Sequence, residues 1–595
     1  MKTVRIGGAS GFWGDSIEGA GQLVRRGNID FLVFDYLAEI TMSLLARIHA
    51  RKPELGYVPD FIESVAPLLG EIKRRGIRVV TNAGGVNPQA CAAALKARAE
   101  AAGIALKIAV VAGDNLLPQL DDVRGQGTRE MFSGAELPEK LMSANAYLGA
   151  QSVAAALDRG ADVVITGRCV DSAVTLGALV HAFGWSWSDY DKLAQGSLAG
   201  HLIECSAQVT GGLFTDWRDV PGWDDMGMPI AECAGDGSFV ITKPENTGGL
   251  ISPLSVGEQM LYEIGDPATY ILPDVVCDFR HVTIEEAGRD RARVSGARGR
   301  APTPTLKVSA TWHDGFRMMG TVTLAGLDAA AKAQRAGEAM LARASRLIAE
   351  RKFEPFTETS LEVLGAEATY GASARPHAAQ AREVVLKIGA RHAQEKALEV
   401  LAREIAPAAS SMAQGLTGFF AGRPGVQPVM RLFSFLWPKD KVTPKVSVDG
   451  EEFAVPFAAS APLGSSSASA TVAAKQATDA EVPLIALAVG RSGDKGNAAN
   501  IGIIARRPDY LPWLRQALTA EAVHGFFAHA GVSKVERFDL PGTHAMNFLL
   551  HDALGGGGVA SLRIDPQGKA FAQMLMDLPV GVPRALAEQI AMANR

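Results

Sequence analysis

The chain contains few cysteines, and they are scattered. Five cysteines occur among 595 residues and no two of them form a CxxC pair. Neither a disulfide framework nor a CxxC metal or redox centre is therefore indicated. The histidines form no HxH or HExxH motif and no cluster with cysteine, so we assign no metal site. This cysteine usage predicts a protein of a reducing compartment, the cytoplasm.

Long apolar runs and excess positive charge are also missing. No segment approaches the ~20 apolar residues of a membrane span, and a strand pattern begins at Lys2, which leaves no room for a signal peptide. The formal net charge of -5 gives no general attraction for nucleic acid or anionic lipid. We expect no nucleic-acid partner and no membrane partner, and a small molecule as the ligand.

Short apolar segments alternate with helical patterns in the first part of the chain. Near-continuous apolar segments of this kind are typical of parallel strands buried on both faces. The pattern predicts an α/β fold, with an N-terminal, mostly parallel sheet (residues 1–250) that carries helices on both faces. Residues 138–160 are predicted as one of these helices, ended by Gly160.

The remaining sequence predicts three further parts. Residues 251–457 mix strand patterns with alanine-rich helices, which indicates an α+β region packed on the first domain. Residues 458–481 are small and polar, which is typical of a flexible linker. Residues 482–595 predict a small, separate α/β C-terminal domain, with a helix-like stretch at 547–554.

Glycine-rich turns follow several predicted strands. Open parallel sheets gather ligand-binding loops at the carboxyl ends of their strands, where glycine lets the backbone approach a ligand closely. The turns therefore predict one shared site. Its candidate ligand-binding residues in this sheet are Gly8, Ser10, Gly11, Trp13, Asn82, Gly84, Gly85, Asp114, Asn115 and Gly167.

The first of these turns fits no nucleotide-binding motif. Gly8, Gly11 and Gly14 have GxxGxxG spacing, whereas the dinucleotide fingerprint requires GxGxxG, and no Walker A pattern occurs. Phe12 and Trp13 would offer a flat apolar surface for an acyl chain or an adenine ring. Alternatively, both rings close the end of the sheet, and the sequence leaves this choice open.

Four ionisable residues are the candidates for catalysis. Asp35 and Glu39 follow a strand, where a carboxylate pair could serve as general acid and base. Arg168 could bind a carboxylate or phosphate with two hydrogen bonds, while Asp171 orients it. The alternative role of the three carboxylates is to stabilise or cap a helix N-terminus. Cys169 has no histidine nearby in sequence and is predicted to be a packed residue.

Three cations outside the first turns are further candidates for ligand binding. Lys243 could bind a phosphate or polarise a carbonyl, or it could be a solvated surface lysine. In the segment RSGDKGN, Arg491 and Lys495 could hold an anion together with backbone amides. A tight, solvated hairpin is the alternative for this segment.

Several of these segments resemble the acyclic terpene utilization family AtuA. The segments are GGASGFWGDS, FDYLAE, TNAGGVNP, ANAYLGA, ITGRCVDSA and TKPENTGG, and RSGDKGN resembles the small C-terminal domain of that family. The resemblance covers nearly the whole chain. It implies bacterial catabolism of acyclic terpenoids or branched-chain acids, in which intermediates travel as coenzyme A thioesters beside carboxylases and hydratases.

The leading hypothesis is an enzyme that acts on a branched or terpenoid acyl-CoA in a hydratase or lyase step. Coenzyme A would enter as part of the substrate, and no metal or flavin is expected. One alternative is an accessory or binding subunit of an acyl-CoA carboxylase-type assembly, and another is a nucleotide-dependent oxidoreductase. We also expect a homo-oligomer, the usual state of large metabolic proteins.

Overall fold

The computed structural model describes residues 2–418, 422–464, 476–558 and 560–593. Its first part alternates strands and helices, as the sequence predicts. The strands in this part are β1 (Thr3–Gly8), β2 (Phe31–Phe34), β3 (Arg78–Thr81), β4 (Ile108–Ala112), β5 (Ser143–Ala146) and β6 (Val163–Thr166). The helices up to residue 261 are α1 (Glu18–Arg26), α2 (Glu39–Arg51), α3 (Pro59–Val65), α4 (Leu69–Arg75), α5 (Pro88–Ala101), α6 (Leu120–Gly125), α7 (Gln151–Asp158), α8 (Ala173–Phe183), α9 (Tyr190–Ile203) and α10 (Pro253–Leu261).

Shorter strands and fewer helices make up the rest of the described chain. The strands are β7 (Ile230–Ala234), β8 (Phe239–Thr242), β9 (Tyr270–Ile271), β10 (Val276–Asp278), β11 (Thr283–Glu286), β12 (Ala292–Ser295), β13 (Arg298–Arg300), β14 (Thr305–Ala325), β15 (Glu358–Leu364), β16 (Glu383–His392), β17 (Leu416–Thr417), β18 (Val426–Pro438), β19 (Lys445–Val448), β20 (Glu451–Ala454), β21 (Ala480–Pro483), β22 (Ala488–Lys495), β23 (Ala498–Ala505), β24 (Lys534–Leu540), β25 (Ala545–His551) and β26 (Pro579–Val582). The helices are α11 (Ala329–Glu350), α12 (Glu395–Ile405), α13 (Ala408–Ser411), α14 (Leu511–Ala517), α15 (Ala520–Phe526), α16 (Phe571–Leu575) and α17 (Arg584–Ala593).

An eleven-stranded sheet forms the centre of the molecule, in the order β11-β12-β8-β7-β1-β2-β3-β6-β4-β19-β20. Within this order, the neighbouring strands β1, β2, β3, β6 and β4 pair in parallel. The strands on either side of this group, β7 and β19, pair antiparallel with it. The carboxyl ends of the parallel strands therefore meet at one edge, where their loops share a site.

Helices cover both faces of this sheet, which confirms the predicted fold class. Val80 and Val164 belong to one apolar cluster, whereas their neighbours Val79 and Val163 belong to another. Side chains that follow each other in a strand point to opposite faces, so the two clusters lie on opposite sides of the sheet. Burial on both faces explains why these strands lack alternating polar residues.

A second sheet contains β15, β16, β14 and β17, and both β18 and β5 also pair with β14. The helix predicted over residues 138–160 is therefore wrong in its first half. Residues 143–146 form β5, which pairs antiparallel with β14, and helix α7 begins only at Gln151. Ala144 and Ala146 are small and fully buried in this pairing. The packing against β14 overrides the helix preference of alanine.

The C-terminal part forms a small separate module around a four-stranded antiparallel sheet, β22-β23-β25-β24. The helix predicted near residues 547–554 is wrong, because this stretch lies mostly in β25. Met546, Phe548 and Leu550 alternate along β25 into the core of the module. That spacing of two residues is the period of a strand.

Two buried asparagines join the C-terminal sheet to the end of α10 and the chain that follows it. Asn500 donates to the carbonyl of Leu261 at 2.7 Å, and its own oxygen accepts from a backbone N–H in the same segment at 2.8 Å. Asn547 donates to two carbonyls of that segment, at 2.6 and 2.7 Å. Arg506 forms two hydrogen bonds of 2.6 Å with Asp216. These contacts satisfy buried polar groups on both sides and fix the module in place.

The domain limits drawn from the sequence stay predictions. The central sheet takes strands from residues 283–295 and 445–454, which the sequence assigned to the second region. Within the predicted linker, residues 465–475 lie outside the described residues, and β21 begins at Ala480. None of the helices in the described part of the chain combines the length and apolar character that a membrane crossing requires.

Candidate functional site

Polar side chains meet at the carboxyl edge of the parallel strands. Asp35 follows β2 and Asn82 follows β3, and the amide of Asn82 donates to the Asp35 carboxylate at 2.5 Å. The hydroxyl of Ser10, which follows β1, donates to the backbone carbonyl of Asp35 at 3.0 Å. Loops from three neighbouring strands thus fix Asp35, its carboxyl through Asn82 and its backbone through Ser10.

Arg168 follows β6 and is buried in the middle of this edge. Its backbone N–H donates to Asp114 at 3.0 Å, and Asp114 also accepts from Asn145 of β5 at 2.7 Å. The guanidinium group of Arg168 donates to the carbonyl of Leu37 at 2.5 Å and to Asp171 at 2.9 Å. The Arg168 side chain is therefore held rigidly beside a carboxyl group.

A tyrosine and a lysine connect Arg168 to Glu39. The Arg168 guanidinium lies 4.1 Å from the ring centre of Tyr147, and the amine of Lys307 lies 4.9 Å from it. The Tyr147 hydroxyl donates to Glu39 at 2.5 Å, and Lys307 donates to the same oxygen at 3.2 Å. Two cations and one carboxylate therefore surround a single phenol.

The C-terminal module brings further charges to this edge. The amine of Lys569 lies 3.3 Å from Glu263 and 3.4 Å from Asp494. Lys495 lies 5.4 Å from the ring centre of Tyr270. We call the whole group the interdomain cluster, and its members are Asp35, Glu39, Tyr147, Arg168, Asp171, Glu204, Glu263, Lys307, Asp494, Lys495 and Lys569.

The carboxyl groups of the cluster differ in their proton affinity. Burial would raise the pKa of Glu39, but the charges of Lys307 and Arg168 outweigh burial and hold that pKa well below its usual range. Burial raises the pKa of Asp35, Asp171 and Glu204, and the Asp171 charge adds to the shift of the other two. An ionised carboxylate close to carboxyls of raised pKa is the arrangement of acid–base sites.

Solvent reaches the cluster although protein surrounds it. The side chains of Asp171 and Lys307 keep 36% and 40% of their area accessible, and Glu39 keeps 27%. Burial is nevertheless the largest cause of the raised pKa of Asp171. These three side chains are therefore partly accessible to solvent, and we call the space beside them the cleft.

Family models match most of the chain. The model described as acyclic terpene utilisation family protein AtuA matches residues 4–448. The chain belongs to the AtuA family. A second model, the AtuA ferredoxin-like domain, matches residues 482–581. No curated protein and no solved structure matches this chain.

The cluster of this AtuA protein draws on both matched regions. Asp35, Arg168 and Lys307 lie in the AtuA match, whereas Asp494 and Lys569 lie in the ferredoxin-like domain. The resemblance inferred from the sequence motifs is confirmed for both parts. The family assignment supplies terpene utilisation as the general role, and the geometry indicates that both parts contribute to one site.

Several predicted glycines hold the loops against each other. A Cβ at Gly8 would lie 2.4 Å from the carbonyl oxygen of Ile203, and one at Gly11 would lie 2.9 Å from Cys205 Cα. A Cβ at Gly167 would lie 2.5 Å from the Asp114 carboxylate. Gly84 and Gly85 face Thr166 and Leu45 at similarly short distances. In the direction of a Cβ, these glycines contact the protein's own atoms and allow the loops to pack closely. The ligand contacts predicted for them stay predictions.

Three other predicted ligand-binding residues have partners outside the cluster. The Trp13 indole donates to Asp60 at 3.0 Å and packs against the apolar cluster beside β2. The exposed Asn115 accepts from the backbone N–H of Leu117 at 3.0 Å. Lys243 is buried, lies 3.2 Å from Asp290 and donates to the carbonyl of Thr247. Each of these three side chains therefore has a partner within the fold. The ligand-binding roles predicted for them stay predictions.

Two reactive residue types in the site are held inactive. Cys169 is buried, and burial raises the pKa of its thiol to about 12, so it is not a thiolate at neutral pH. Burial lowers the pKa of His201 to about 4, which keeps this imidazole neutral. In the part of the chain that the structure describes, no three histidine, cysteine or acidic side chains are placed to hold a metal ion.

The sequence interpretation missed Tyr147, Lys307, Glu263 and Lys569. Tyr147 stands in the family-like segment ANAYLGA, so a motif signal for it existed. Lys307 lies near the start of β14 and reaches the site because β14 pairs with β5. No local pattern marks Lys307, Glu263 or Lys569, since distant segments bring them together.

The raised pKa of Glu258, in α10, can be tested by the pH dependence of the unfolding free energy. Glu258 is buried beside Thr215, whose N–H donates to it at 3.3 Å, and burial raises its pKa from 4.5 to about 8. A raised folded-state pKa gives stability that is full below pH 4.5 and lost as the pH rises through about 8. Because Glu258→Gln cannot ionise, its unfolding free energy relative to wild type should rise by up to about 1.4 kcal/mol per pH unit in this window.

Denaturant unfolding of both proteins across this pH window measures the effect. Glu63→Gln, at an exposed position, is the control and should show a constant difference from wild type. A pH-independent difference for Glu258→Gln would contradict the raised pKa.

Proposed function

We propose that the protein is an enzyme of acyclic terpenoid or branched-chain acid catabolism that acts on an acyl-CoA thioester in a hydratase or lyase step. The observation that carries the proposal is the position of Arg168. Its guanidinium bonds to Asp171, a carboxyl of raised pKa, and stacks on Tyr147, which donates to the ionised Glu39. A fixed cation beside a carboxyl of raised pKa, which can take up a proton and return it, suits chemistry at the α-carbon of a thioester.

In the hydration direction, ionised Asp171 removes a proton from water as the water oxygen bonds to the β-carbon of an α,β-unsaturated thioester. The double-bond electrons move to the thioester oxygen, which becomes an enolate. Arg168 and Lys307 stabilise that negative charge in a site with restricted solvent. The Asp171 carboxyl then gives its proton to the α-carbon and the carbonyl re-forms. Loss of water from a 3-hydroxyacyl thioester is the same path in reverse.

The other cluster members position these groups. Glu39 remains ionised and accepts from both Tyr147 and Lys307, so it fixes the phenol under Arg168 and the lysine amine beside it. Asn82 holds Asp35, whose carboxyl can keep a proton in reserve next to Asp171. Coenzyme A enters as part of the substrate, and its phosphates suit the cations Lys495 and Lys569 at the module's side of the cleft.

Asp171→Asn tests the proposal. Asparagine keeps the shape of the side chain and cannot exchange a proton, so turnover should fall by about 10²–10⁴-fold. The probe is 3-methylbut-2-enoyl-CoA, whose conjugated-thioester absorbance disappears on hydration, and calorimetry with the same compound measures binding. Asp121→Asn, at an exposed position of α6, is the matched control and should retain wild-type turnover.

Three results would overturn the proposal. They are the absence of binding heat with the wild-type protein, full turnover by Asp171→Asn, and turnover that appears only when a copurifying partner is added. The third result would favour the accessory-subunit alternative. Retained binding with lost turnover in Asp171→Asn supports the assigned role.

A further inference from the structure

A second pocket lies at the boundary between the two matched regions. It has a volume of about 490 Å³ and lies between the loop of residues 211–226 and strand β22 of the C-terminal module. Sites for small molecules commonly measure ~300–1,000 Å³. Lys569 lines this pocket and also belongs to the interdomain cluster, so the two sites are neighbours.

Large apolar side chains line this pocket and remain exposed. Leu213, Trp217 and Trp223 keep 67%, 50% and 63% of their surface accessible. The two indoles meet edge to face at 6.1 Å, and the N–H of Trp223 is already bonded to a backbone carbonyl. The guanidinium of Arg218 stacks on the ring of Trp217 at 4.4 Å. The exposed indole surface that remains forms, with Leu213, an apolar patch of the kind that marks a binding surface.

The loop that carries these side chains is held in place. Asp216 forms two hydrogen bonds with Arg506, and the hydroxyl of Thr215 exchanges hydrogen bonds of 3.1 Å with Gly490 of β22. Leu213 has a left-handed backbone, with φ of 63°, which is unfavourable for a branched side chain. The fold thus holds Leu213 outward in a strained conformation.

A buried cation forms the inner end of the pocket. Arg491 is 5% exposed, stacks on Tyr262 at 4.7 Å and donates to Gln208 at 2.5 Å. Within the described residues, no carboxylate lies at ion-pair distance from it. The nearby Glu258 has a pKa raised to about 8 by burial, so its carboxyl is largely neutral at neutral pH. Burying a guanidinium without a counter-ion is costly, which favours an anionic ligand at this position.

We propose that this pocket binds a free carboxylic acid that carries an apolar hydrocarbon tail. The carboxylate contacts Arg491, which can offer it two parallel N–H groups. The hydrocarbon tail lies against Trp217, Trp223 and Leu213. A free acid differs from the thioester handled in the cleft, so the inference goes beyond the proposed reaction and does not depend on it.

Calorimetry with the full-length protein tests this assignment. The probes are 3,7-dimethyloct-6-enoate, its uncharged methyl ester and acetate, which lacks the hydrocarbon. Wild-type protein should bind the acid saturably, and the ester at least about tenfold more weakly, as expected for loss of a charge-assisted contact. Acetate should give no saturable heat. Equal affinity for acid and ester, or no saturable binding of the acid, would overturn the proposal.

Substitutions separate the contributions of charge and apolar surface. Arg491→Gln should weaken acid binding by about tenfold or more and leave ester binding unchanged, whereas Arg491→Lys should retain part of the preference for the acid. Trp223→Ala should weaken both ligands. Unchanged acid affinity in Arg491→Gln would contradict the assignment, and if that variant fails to fold, the acid-to-ester ratio of wild type decides. Acid binding that persists in Asp171→Asn shows that this site stands apart from the proposed chemistry.

Discussion

Replacing Arg168 with leucine is expected to lower turnover by about 10²–10³-fold and to destabilise the protein. Arg168 is the buried cation that holds Asp171 and stacks on Tyr147, so its loss removes the charge that would stabilise an enolate. One such contact contributes about 10²–10³-fold to turnover. The change also leaves the buried carbonyl of Leu37 without its donor, which costs about 1–3 kcal/mol of stability. Steady-state turnover and denaturant unfolding measure the two effects.

Two further variants serve as comparisons for Arg168→Leu. Arg168→Lys keeps the charge but lacks the planar group that stacks and bonds in several directions, so it should fall between wild type and leucine in both measurements. Arg98→Leu, at an exposed position of α5, is the matched control for loss of an arginine. Wild-type turnover by a folded Arg168→Leu protein would show that Arg168 has no part in the chemistry.

Asn547→Leu is expected to release the C-terminal module once the chain is cut between the two regions. The substitution leaves two backbone carbonyls after α10 without their donor, and each unsatisfied buried group costs about 1–3 kcal/mol. With a protease site inserted between residues 464 and 476, the cut wild-type fragments should coelute and retain turnover. The cut Asn547→Leu fragments should separate and lose it, because Asp494, Lys495 and Lys569 leave the cleft.

Size-exclusion chromatography and an activity assay on the same samples give the answer. Uncut Asn547→Leu is the control, since the intact chain keeps the two parts at high local concentration. Turnover by the isolated larger fragment would contradict a site shared between the two regions.

Much of the central sheet, and the part of the site that lies on its loops, can be predicted from local sequence. Apolar segments without polar alternation predict parallel strands, and the turn after each strand must then lie at one edge. This reasoning places Asp35, Glu39, Arg168 and Asp171 together, and the structure brings them together. Their positions follow from chain direction in a parallel sheet, without knowledge of any side-chain contact.

The rest of the site depends on contacts between distant segments. Lys307 meets Glu39 only because β14 pairs with β5, and the alanine-rich stretch that contains β5 has the local pattern of a helix. Lys569 and Asp494 reach the cleft through the docking of a separate module. The glycines were predicted as ligand loops, but at Gly8 and Gly167 the short distances are to the chain's own atoms. Local sequence shows where a glycine is required. It does not show whether a ligand or another segment of the chain is the close neighbour that requires it.

Deuterium incorporation from D₂O tests most directly whether the interdomain cluster moves a proton next to a thioester carbonyl. Incubated with 3-methylbut-2-enoyl-CoA, the wild-type protein should form a 3-hydroxyacyl-CoA that carries deuterium at its α-carbon, detected by mass spectrometry. Asp171→Asn should bind the compound and incorporate none above the protein-free rate. Absence of α-deuterium with wild-type protein, or equal incorporation by Asp171→Asn, would contradict this account.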